Sequence, residues 1–339
     1  MNPTLGSLGS LIIDDIRFLN GTERRNVVGG GGVFAIYGMR IWLQGKEAKQ
    51  IGYVAQRGYD HPKNVDDALA CLEINLVEKT HPDKHTTRGL NTFGPDDHRD
   101  FEYIHPIIRS TPDDFPDAWI LSMKLVHIIS STERTIEIVS EWRKREKELN
   151  KKQSPTQFLW EPLPWACLPE NYPAIIQAGQ LVDIISPNHE EAAAFLNLTT
   201  QYDDTISLVE ACGQRFAKDF PHATIVIRAG KHGAAVLNSS KSSSSSMTWV
   251  PPYWTSSEHI VDVVGAGNAF CGGFMAGWQL TKGNAIMATL YGSVSSSFVV
   301  EQVGVPVLSK DNQEETWNNG PSPRDRLLQL EQVCGFNAV

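Results

Sequence analysis

The sequence lacks any run of the roughly 18 consecutive apolar residues that a membrane-spanning helix requires. Basic charge is also scarce, because 30 Lys and Arg residues stand against 39 Asp and Glu residues and give a net charge of −9. Nucleic acids and anionic membranes are bound by clustered Lys and Arg, so we expect neither as a partner. The composition favours a cytoplasmic globular protein.

Cysteine is sparse and irregularly placed. The five cysteines are odd in number, and none forms a Cys-x-x-Cys pair. This pattern argues against a disulfide framework and a zinc module, and it favours a reducing compartment. His81 and His85 are four residues apart, but Pro82 lies between them and no acidic zinc-protease pattern follows. We therefore predict two loop histidines there and no metal cluster.

Apolar segments of strand length alternate with segments of helical length along most of the chain. Residues 51–54 and 224–228 are strand candidates, and residues 132–152 have helical character. Such alternation predicts an α/β fold with a doubly wound, mostly parallel sheet and helices on both faces. We expect one domain over residues 1–339, with residues 11–13 as a short buried first strand.

Three regions depart from this alternation. Many turn formers among short β-like pieces predict a small β-lid made from residues of about 15–30 and 85–115. The serine tract 239–246 lies between two strand candidates and predicts a loop at a hairpin tip. Residues 308–322 are polar and predict an exposed loop, within a polar C-terminal extension at about 308–339 that ends in a short helix.

The strongest chemical signal is a run of small residues that opens a helical segment. Gly265, Ala266 and Gly267 precede Asn268 in this run. The first N–H groups of a helix have no acceptor within it, and together with the helix dipole they bind anions. Glycine at 265 and 267 also leaves out Cβ atoms that would block a phosphate. The run is a candidate anion-binding loop.

This run resembles the second signature of the ribokinase (PfkB) family, Asp-Thr-x-Gly-Ala-Gly-Asp-x-Phe. The resemblance implies that Gly265, Ala266 and Gly267 form the anion hole for the transferred phosphoryl group. It places Asp262 at the first Asp, beside a monovalent-cation site, and Asn268 at the position of the catalytic base. The departure is large, because an amide oxygen accepts a hydrogen bond but does not remove a proton at neutral pH.

The same resemblance extends to the substrate motifs near the N-terminus. Asp14 follows the opening Gly-x-x-x-x-Asp pattern, whose Asp binds substrate hydroxyls. Gly30, Gly31 and Gly32 match the Gly-Gly substrate motif, but Phe34 replaces its Asn. Asp14 is equally consistent with a strand-end residue in solvent, and the glycines with a simple loop. A dinucleotide fingerprint at 30–35 is disfavoured because no acidic partner follows a clear second strand.

The ATP side is better preserved. The run 183–191 resembles the Asp-Ile-x-x-x-Asn-x-x-Glu motif, and 230–233 resembles the Gly-x-x-Gly nucleotide loop. The resemblance implies ATP as a cosubstrate with Mg²⁺ held through water by Glu191, and it implies these ATP-binding residues: Asn188, Glu191, Arg228, Gly230, Gly233 and Ser293. A helix cap followed by a surface glutamate is the alternative for 188–191.

Residues 86–91 and 99–101 resemble a divergent fungal branch of the family, which implies Asn at the base position and an aromatic after the glycines. Family resemblance also implies a homodimer through the lid. Two functions stay open: a slow kinase for a small hydroxylated acceptor, or a non-catalytic nucleotide or metabolite binder. A general base contributes about 10²–10⁴-fold, so its loss predicts a slow kinase rather than an inert one, and Asn268→Asp is expected to restore the base.

Overall fold

The computed structural model describes residues 1–93, 99–238, 247–311 and 314–335. The described strands, in chain order, are β1 (Leu5–Ser7), β2 (Ile12–Arg17), β3 (Glu23–Gly29), β4 (Ile51–Gly58), β5 (Asn75–His81), β6 (Arg88–Phe93), β7 (Arg99–Tyr103), β8 (Leu125–Ser130), β9 (Gln157–Pro162), β10 (Ile184–Ile185), β11 (Thr224–Arg228), β12 (Ala234–Asn238), β13 (Thr248–Val250), β14 (Leu308–Asp311) and β15 (Glu314–Trp317).

The described helices are, in chain order, α1 (Gly31–Arg40), α2 (Lys63–Ala70), α3 (Asp117–Ser122), α4 (Thr132–Glu148), α5 (Tyr172–Gly179), α6 (His189–Leu196), α7 (Thr205–Asp219), α8 (Ala266–Leu280), α9 (Ala285–Val299) and α10 (Pro323–Val333). The main sheet has the order β13-β12-β11-β10-β9-β8-β1-β4-β5. Its strands pair in parallel from β5 to β11, and β12 and β13 add antiparallel at one edge. The predicted mostly parallel sheet is confirmed.

Helices cover both faces of this sheet. Successive side chains of a strand point to opposite faces, so Val226 packs into one core while Ile225 and Ile227 pack into the other. The first core is closed chiefly by α1, α2, α8, α9 and α10, and the second by α3 to α7. Burial on both faces explains why the central strands are continuous apolar runs.

A second sheet of four strands, in the order β3-β2-β6-β7, lies beside the main one. It occupies the segments expected to form a lid, at about 15–30 and 85–115. The expectation for residues 11–13 was wrong in its placement. The first strand is Leu5–Ser7, between β4 and β8 in the main sheet, whereas Ile12 begins β2 of the small sheet. Three residues are too few for β1 to show a pattern in the sequence.

The exposed loop predicted at 308–322 is also wrong in part. β14 and β15 pair as an antiparallel hairpin, and Trp317 is fully buried. The hairpin brings Glu315 to Arg40 of α1, where two hydrogen bonds of 2.6 Å join the carboxylate to the guanidinium. This long-range ion pair is not visible in a local sequence pattern, although the predicted last helix is present as α10.

Glycines allow α8 to pack closely against its neighbours. A Cβ at Gly272 would lie 1.9 Å from the carbonyl oxygen of Ala35 in α1, and a Cβ at Gly273 would lie 2.2 Å from Oγ of Ser295 in α9. The low helix propensity of this glycine-rich segment is therefore offset by close helix contacts.

The serine tract 239–246 lies outside the described residues, between the antiparallel strands β12 and β13. Across the described ranges, none of the helices combines the length and apolar character that crossing a membrane would demand.

We predict that Glu315→Ala destabilises the fold by about 3–5 kcal/mol, because it leaves the buried Arg40 cation without its anion. The side chains of Arg40 and Glu315 are 0% and 7% exposed. Urea unfolding at neutral pH measures the loss. The matched control is Glu314→Ala, an exposed neighbour on the same hairpin, which should change stability by less than about 0.5 kcal/mol. Equal effects of the two variants would contradict the prediction.

Candidate active site

The candidate site lies where the carboxyl ends of the parallel strands meet the start of α8. Gly265 is the N-cap of this helix and adopts a φ of 77°, a left-handed conformation that favours glycine. The loop before it is held by Asp262, whose Oδ1 accepts a 3.0 Å hydrogen bond from the Val264 N–H. Ala266, Gly267 and Asn268 then form the first turn, whose N–H groups lack acceptors within the helix. The predicted anion-binding loop is therefore a helix N-terminus.

The two glycines of this loop also make room for neighbouring side chains. A Cβ at Gly265 would lie 2.3 Å from the ring of Phe34, and a Cβ at Gly267 would lie 2.0 Å from Nη1 of Arg228. The sequence suggested that glycine clears a path for phosphate. In the structure, the Phe34 ring lies in the Cβ direction of Gly265 and the Arg228 guanidinium in that of Gly267. Both glycines are therefore required by the packing as well.

A buried carboxylate, Glu161, is the centre of the hydrogen-bond network. It lies near the end of β9 and is 3% exposed. Its oxygens contact Nη1 of Arg228 at 2.8 Å, Nε2 of His127 at 2.9 Å and Nδ2 of Asn268 at 2.9 Å. Burial raises the pKa of Glu161, but the charge of Arg228 and the bonds from His127 and Asn268 outweigh it and lower this pKa to about 2. Glu161 is therefore an anion at neutral pH.

Arg228, at the end of β11, connects this carboxylate to a second one. Its Nη2 donates to the Ser186 carbonyl at 3.0 Å and lies 3.5 Å from Oε2 of Glu191. Its Nε is buried and has no hydrogen-bond partner among the described residues. Burial disfavours the cation, but Glu161 and Glu191 raise the pKa of Arg228, so it stays charged. The site holds one fixed cation against the start of α8.

Asn188 and Glu191 form a capping box at the start of α6. The Asn188 side chain accepts from the Glu191 N–H at 2.7 Å, and Oε2 of Glu191 accepts from the Asn188 N–H at 2.8 Å. Oε1 of Glu191 accepts a further bond of 2.9 Å from the Asn188 side-chain amide. Burial raises the pKa of Glu191 to about 7, although Arg228 lowers it in part. The helix-cap alternative is therefore confirmed for this pair, and its role at ATP and Mg²⁺ stays a prediction.

These contacts bear on whether Glu191 fits Mg²⁺. Carboxylate oxygens are the ligands that Mg²⁺ prefers, and Mg²⁺ usually keeps several waters. Both oxygens of Glu191 already accept bonds from Asn188, and the Arg228 cation is 3.5 Å away. The residues therefore fit a contact through water, using the second lone pair of each oxygen, better than direct ligation.

The residues predicted to bind an acceptor lie where the small sheet meets α1. Oδ1 of Asp14 accepts a 3.1 Å bond from Nδ2 of Asn91, and both residues are buried. They line a small cavity with Phe34, Asp262 and Val264, among others. Most of the lining is apolar, and the Phe34 ring is 1% exposed. The cavity therefore offers a few polar groups within an apolar wall.

The predicted glycines of the acceptor motif lie at the start of α1. Gly30 is the N-cap with a φ of 97°, and a Cβ there would lie 2.4 Å from the Ser10 carbonyl oxygen. A Cβ at Gly31 would lie 3.1 Å from Nδ2 of Asn268, and one at Gly32 would meet the Gly9 carbonyl at 2.0 Å. The structure thus brings this motif against Asn268.

The remaining residues predicted to bind a nucleotide are Gly230, Gly233 and Ser293, which lie outside the 265–268 loop. Gly230 and Gly233 bound a 3-10 turn after β11, with φ values of 55° and 85°. Ser293 of α9 donates to the Pro251 carbonyl at 2.9 Å, and a Cβ at Gly233 would meet the Val250 carbonyl at 2.1 Å. The segment 250–251 therefore lies between Ser293 and Gly233.

Sequence reasoning missed Glu161 and His127 as site residues and did not assign a role to Asn91. Each of the first two has a detectable signal, because a single ionisable residue stands within an otherwise apolar buried strand. Such residues are almost never fully buried without a partner, so their presence indicates a network. The partner itself, Arg228 two strands away in the sheet, requires the fold.

Two groups of described residues contain three metal-ligating side chains close together. His127, Glu161 and Cys271 have ligand atoms within 4.8 Å of one another. The adjacent Arg228 cation opposes a metal ion there, and burial raises the pKa of the Cys271 thiol, so it stays protonated.

The second group is at the surface, near the small sheet. Asp60, His85 and His105 come together. The prediction of two loop histidines was wrong for His81, which is the last residue of β5 and bonds to Gln56. The His85 and His105 rings stack at 4.1 Å and 11°, so a single ion cannot lie in both ring planes.

Comparison with known proteins places these features in a family. A model of the pfkB family carbohydrate kinases matches residues 108–311. An uncharacterized protein of Schizosaccharomyces pombe is 31% identical over 94% of this chain and 90% of its own length. Protein MAK32 of Saccharomyces cerevisiae is 29% identical over 94% of this chain and 89% of its own length. The predicted resemblance to a fungal branch is thereby confirmed.

A solved structure supports the fold. Ribokinase from Giardia lamblia superposes with a TM-score of 0.68 and 18% identity, covering 90% of this chain and 96% of that protein. At this identity the likeness shows the ribokinase-like fold alone, which the sequence predicted.

We predict that Glu191→Gln flattens the pH dependence of stability between about pH 4.5 and 7. The folded-state pKa of Glu191 is raised to about 7. The unfolded chain therefore releases this proton at lower pH than the folded protein, and stability falls as pH rises through this window. Glutamine removes the ionisation and can keep the capping box. Urea unfolding at several pH values measures the slope. With Glu190→Gln, an exposed neighbour whose charge is a minor cause of the raised pKa, most of the wild-type slope should persist.

Proposed function

Since the chain belongs to the PfkB family of carbohydrate kinases, we propose that it slowly transfers the γ-phosphoryl group of ATP to a hydroxyl of a small sugar-, nucleoside- or metabolite-like acceptor. The observation that carries this proposal is the position of the 265–268 loop. It has the acceptor cavity with Phe34 on one side and the Arg228 guanidinium on the other. An anion held by this loop would lie between an acceptor and a nucleotide.

On the nucleotide side, ATP would be bound by these residues: Asn188, Glu191, Arg228, Gly230, Gly233 and Ser293. Kinases of this family use ATP with Mg²⁺. Mg²⁺ would neutralise phosphate charge, and Glu191 would hold it through water. Arg228 would contribute a fixed positive charge next to Gly267, and Asp262 would lie near a monovalent cation. A homodimer through the small sheet and a cytoplasmic location stay predictions.

The proposed reaction forms a bond between the acceptor oxygen and the γ-phosphorus. The bond from that phosphorus to the bridging oxygen breaks, and ADP leaves with the electron pair. Phosphoryl transfer depends mainly on positioning and charge stabilisation, which the loop and Arg228 would supply. The acceptor proton must go to solvent or to a phosphate oxygen, because the amide of Asn268 orients a hydroxyl without removing its proton. A general base increases the reaction rate about 10²–10⁴-fold, so without one the chain would be slower by about this factor.

A non-catalytic nucleotide or metabolite binder is the second candidate, and one contact favours it. The Arg228 cation is already neutralised by Glu161 at 2.8 Å, so less of its charge is available for a transferring phosphoryl group. Calorimetry with ATP and Mg²⁺ followed by a panel of hydroxylated acceptors separates the two. ATP binding without turnover of any acceptor would favour the binder.

We predict that Gly267→Ala weakens ATP binding about tenfold or more, because its Cβ displaces the Arg228 guanidinium and one charge-assisted contact is worth about 1.5–3 kcal/mol. The expected readout is a reduced ATP-dependent rise in Tm, with Kd from calorimetry. The matched control is Gly320→Ala, whose Cβ would lie 3.1 Å from another guanidinium, Nη2 of Arg326, outside the site. An unchanged ATP response in Gly267→Ala would remove the loop from the nucleotide site.

The acceptor cavity should prefer a ligand with a flat or apolar face. Stacking on an aromatic ring adds about 0.5–1.5 kcal/mol, so we expect nucleosides to bind up to about tenfold more tightly than free ribose or fructose. Asp14→Asn should weaken both classes. The control is Asp15→Asn, since Asp15 bonds Arg88 at 2.8 Å and is absent from the cavity lining. Selective binding of free sugars would contradict the expectation for Phe34.

A further inference from the structure

We infer that Glu161 is a positioning residue that fixes the side chain of Asn268, and that a carboxylate at position 268 can serve as a base only when residue 161 is neutral. This inference rests on the proposed function, because it concerns the base of the same reaction. Residue 161 thus determines whether the 265–268 loop can carry a catalytic carboxylate.

The geometry defines the direction of the Asn268 amide. Its nitrogen lies 2.9 Å from Oε2 of Glu161. An ionised carboxylate only accepts hydrogen bonds, so the donor end of the amide must face Glu161. The oxygen of Asn268 is then left to accept a bond from another donor. Asn268 also lies against the start of α1, where a Cβ at Gly31 would come within 3.1 Å of Nδ2. The hydroxyl of a bound acceptor would be such a donor.

The charges around Glu161 explain why it stays ionised. Arg228 reaches it from β11 and His127 from β8, and the Cys271 thiol is close on α8. Glu191, on α6, is the other carboxylate at Arg228. One fixed cation therefore already faces two carboxylates. The neutral amide of Asn268 adds a hydrogen bond to Glu161 without adding a third negative charge.

The exchange Asn268→Asp, expected from the sequence to restore the base, meets an electrostatic obstacle in the structure. The new carboxyl oxygen in Asn268→Asp would take the place of Nδ2, within hydrogen-bond distance of Glu161. Two carboxylates about 3 Å apart do not both ionise, and they share one proton. Glu161 has Arg228 as its partner, so the proton stays on Asp at 268. That protonated acid donates to Glu161, as the amide does, and it cannot accept a proton from the acceptor.

Removing the charge of Glu161 reverses this outcome. In the double variant Glu161→Gln with Asn268→Asp, the glutamine amide can donate to the new carboxylate, and Arg228 remains as the nearby cation. Both interactions favour the ionised form at position 268. The acceptor O–H can then transfer its proton to this carboxylate while its oxygen attacks the γ-phosphorus and ADP leaves.

The test compares wild type, both single variants and the double variant, with Asn284→Asp as a control. Asn284 caps α9 through its Oδ1, away from the site. We expect Asn268→Asp to turn over ATP within a few-fold of wild type at pH 7, and the double variant to be about 10²-fold or more faster. ATP hydrolysis and acceptor phosphorylation are measured from pH 6 to 9.

A second readout does not require activity. The raised folded-state pKa of Asp at 268 predicts that Asn268→Asp loses stability as pH rises from the unfolded pKa of about 3.9 towards the folded value. Urea unfolding across pH should show this additional loss in the single variant but not in the double variant or in Asn284→Asp. If Glu161→Gln does not fold, the comparison of Asn268→Asp with Asn284→Asp still tests whether Glu161 raises the pKa of a carboxyl group at position 268.

The outcomes separate the inference from the proposed function. A 10²-fold gain in turnover by Asn268→Asp alone at pH 7, with no additional pH-dependent loss of stability, would overturn the inferred coupling between residues 161 and 268. A pH-dependent loss confined to this single variant, with no turnover by any protein, would support the coupling and contradict the kinase proposal. Both signatures together would support both.

Discussion

The buried ion pair between Glu161 and Arg228 is the interaction on which the candidate site depends. It joins the ends of β9 and β11, which β10 separates in the sheet, and it lies against the first turn of α8. Two charges removed from water are tolerated only when they pair closely and their other hydrogen-bonding groups are satisfied. His127, Asn268 and the Ser186 carbonyl largely meet this requirement. The pair therefore links the ends of two strands to the 265–268 loop.

Arg228 also gives two buried carboxylates, those of Glu161 and Glu191, different pKa values. Arg228 lies 2.8 Å from Glu161 but 3.5 Å from Glu191, and both acids are buried. The pKa of Glu161 is lowered to about 2, whereas burial raises that of Glu191 to about 7. An arriving phosphate would compete with Glu161 for Arg228. If this loop binds phosphate as proposed, the binding free energy would include the cost of loosening the Glu161–Arg228 pair, a cost that a site with an unpaired cation would not have.

The sequence predicted the features that depend on residues close together in the chain. Alternating strand and helix patterns indicated the parallel sheet, and the small residues before Asn268 indicated the start of α8. Local patterns did not reveal β1, which has only three residues, or the hairpin that depends on Arg40 and Glu315. They also did not reveal Glu161 as a site residue, because its partners come from separate strands and a helix. Contacts between residues far apart in sequence require the fold.

The two departures from the family motifs meet at one place. The ring of Phe34 contacts the loop at Gly265 and packs with Ala269, the residue after Asn268. One substitution removes a polar group from the acceptor side, and the other removes a charge from the same side. The opposite side keeps Arg228, Glu191 and the helix N-terminus. Under the proposed function, such a site would bind hydroxyls less selectively and would lack a group that removes their proton, while its groups that attract an anion would remain. Anion binding would depend on the main-chain N–H groups and proton removal on the side chain at 268, so a substitution at 268 would alter proton removal without removing the anion-binding groups.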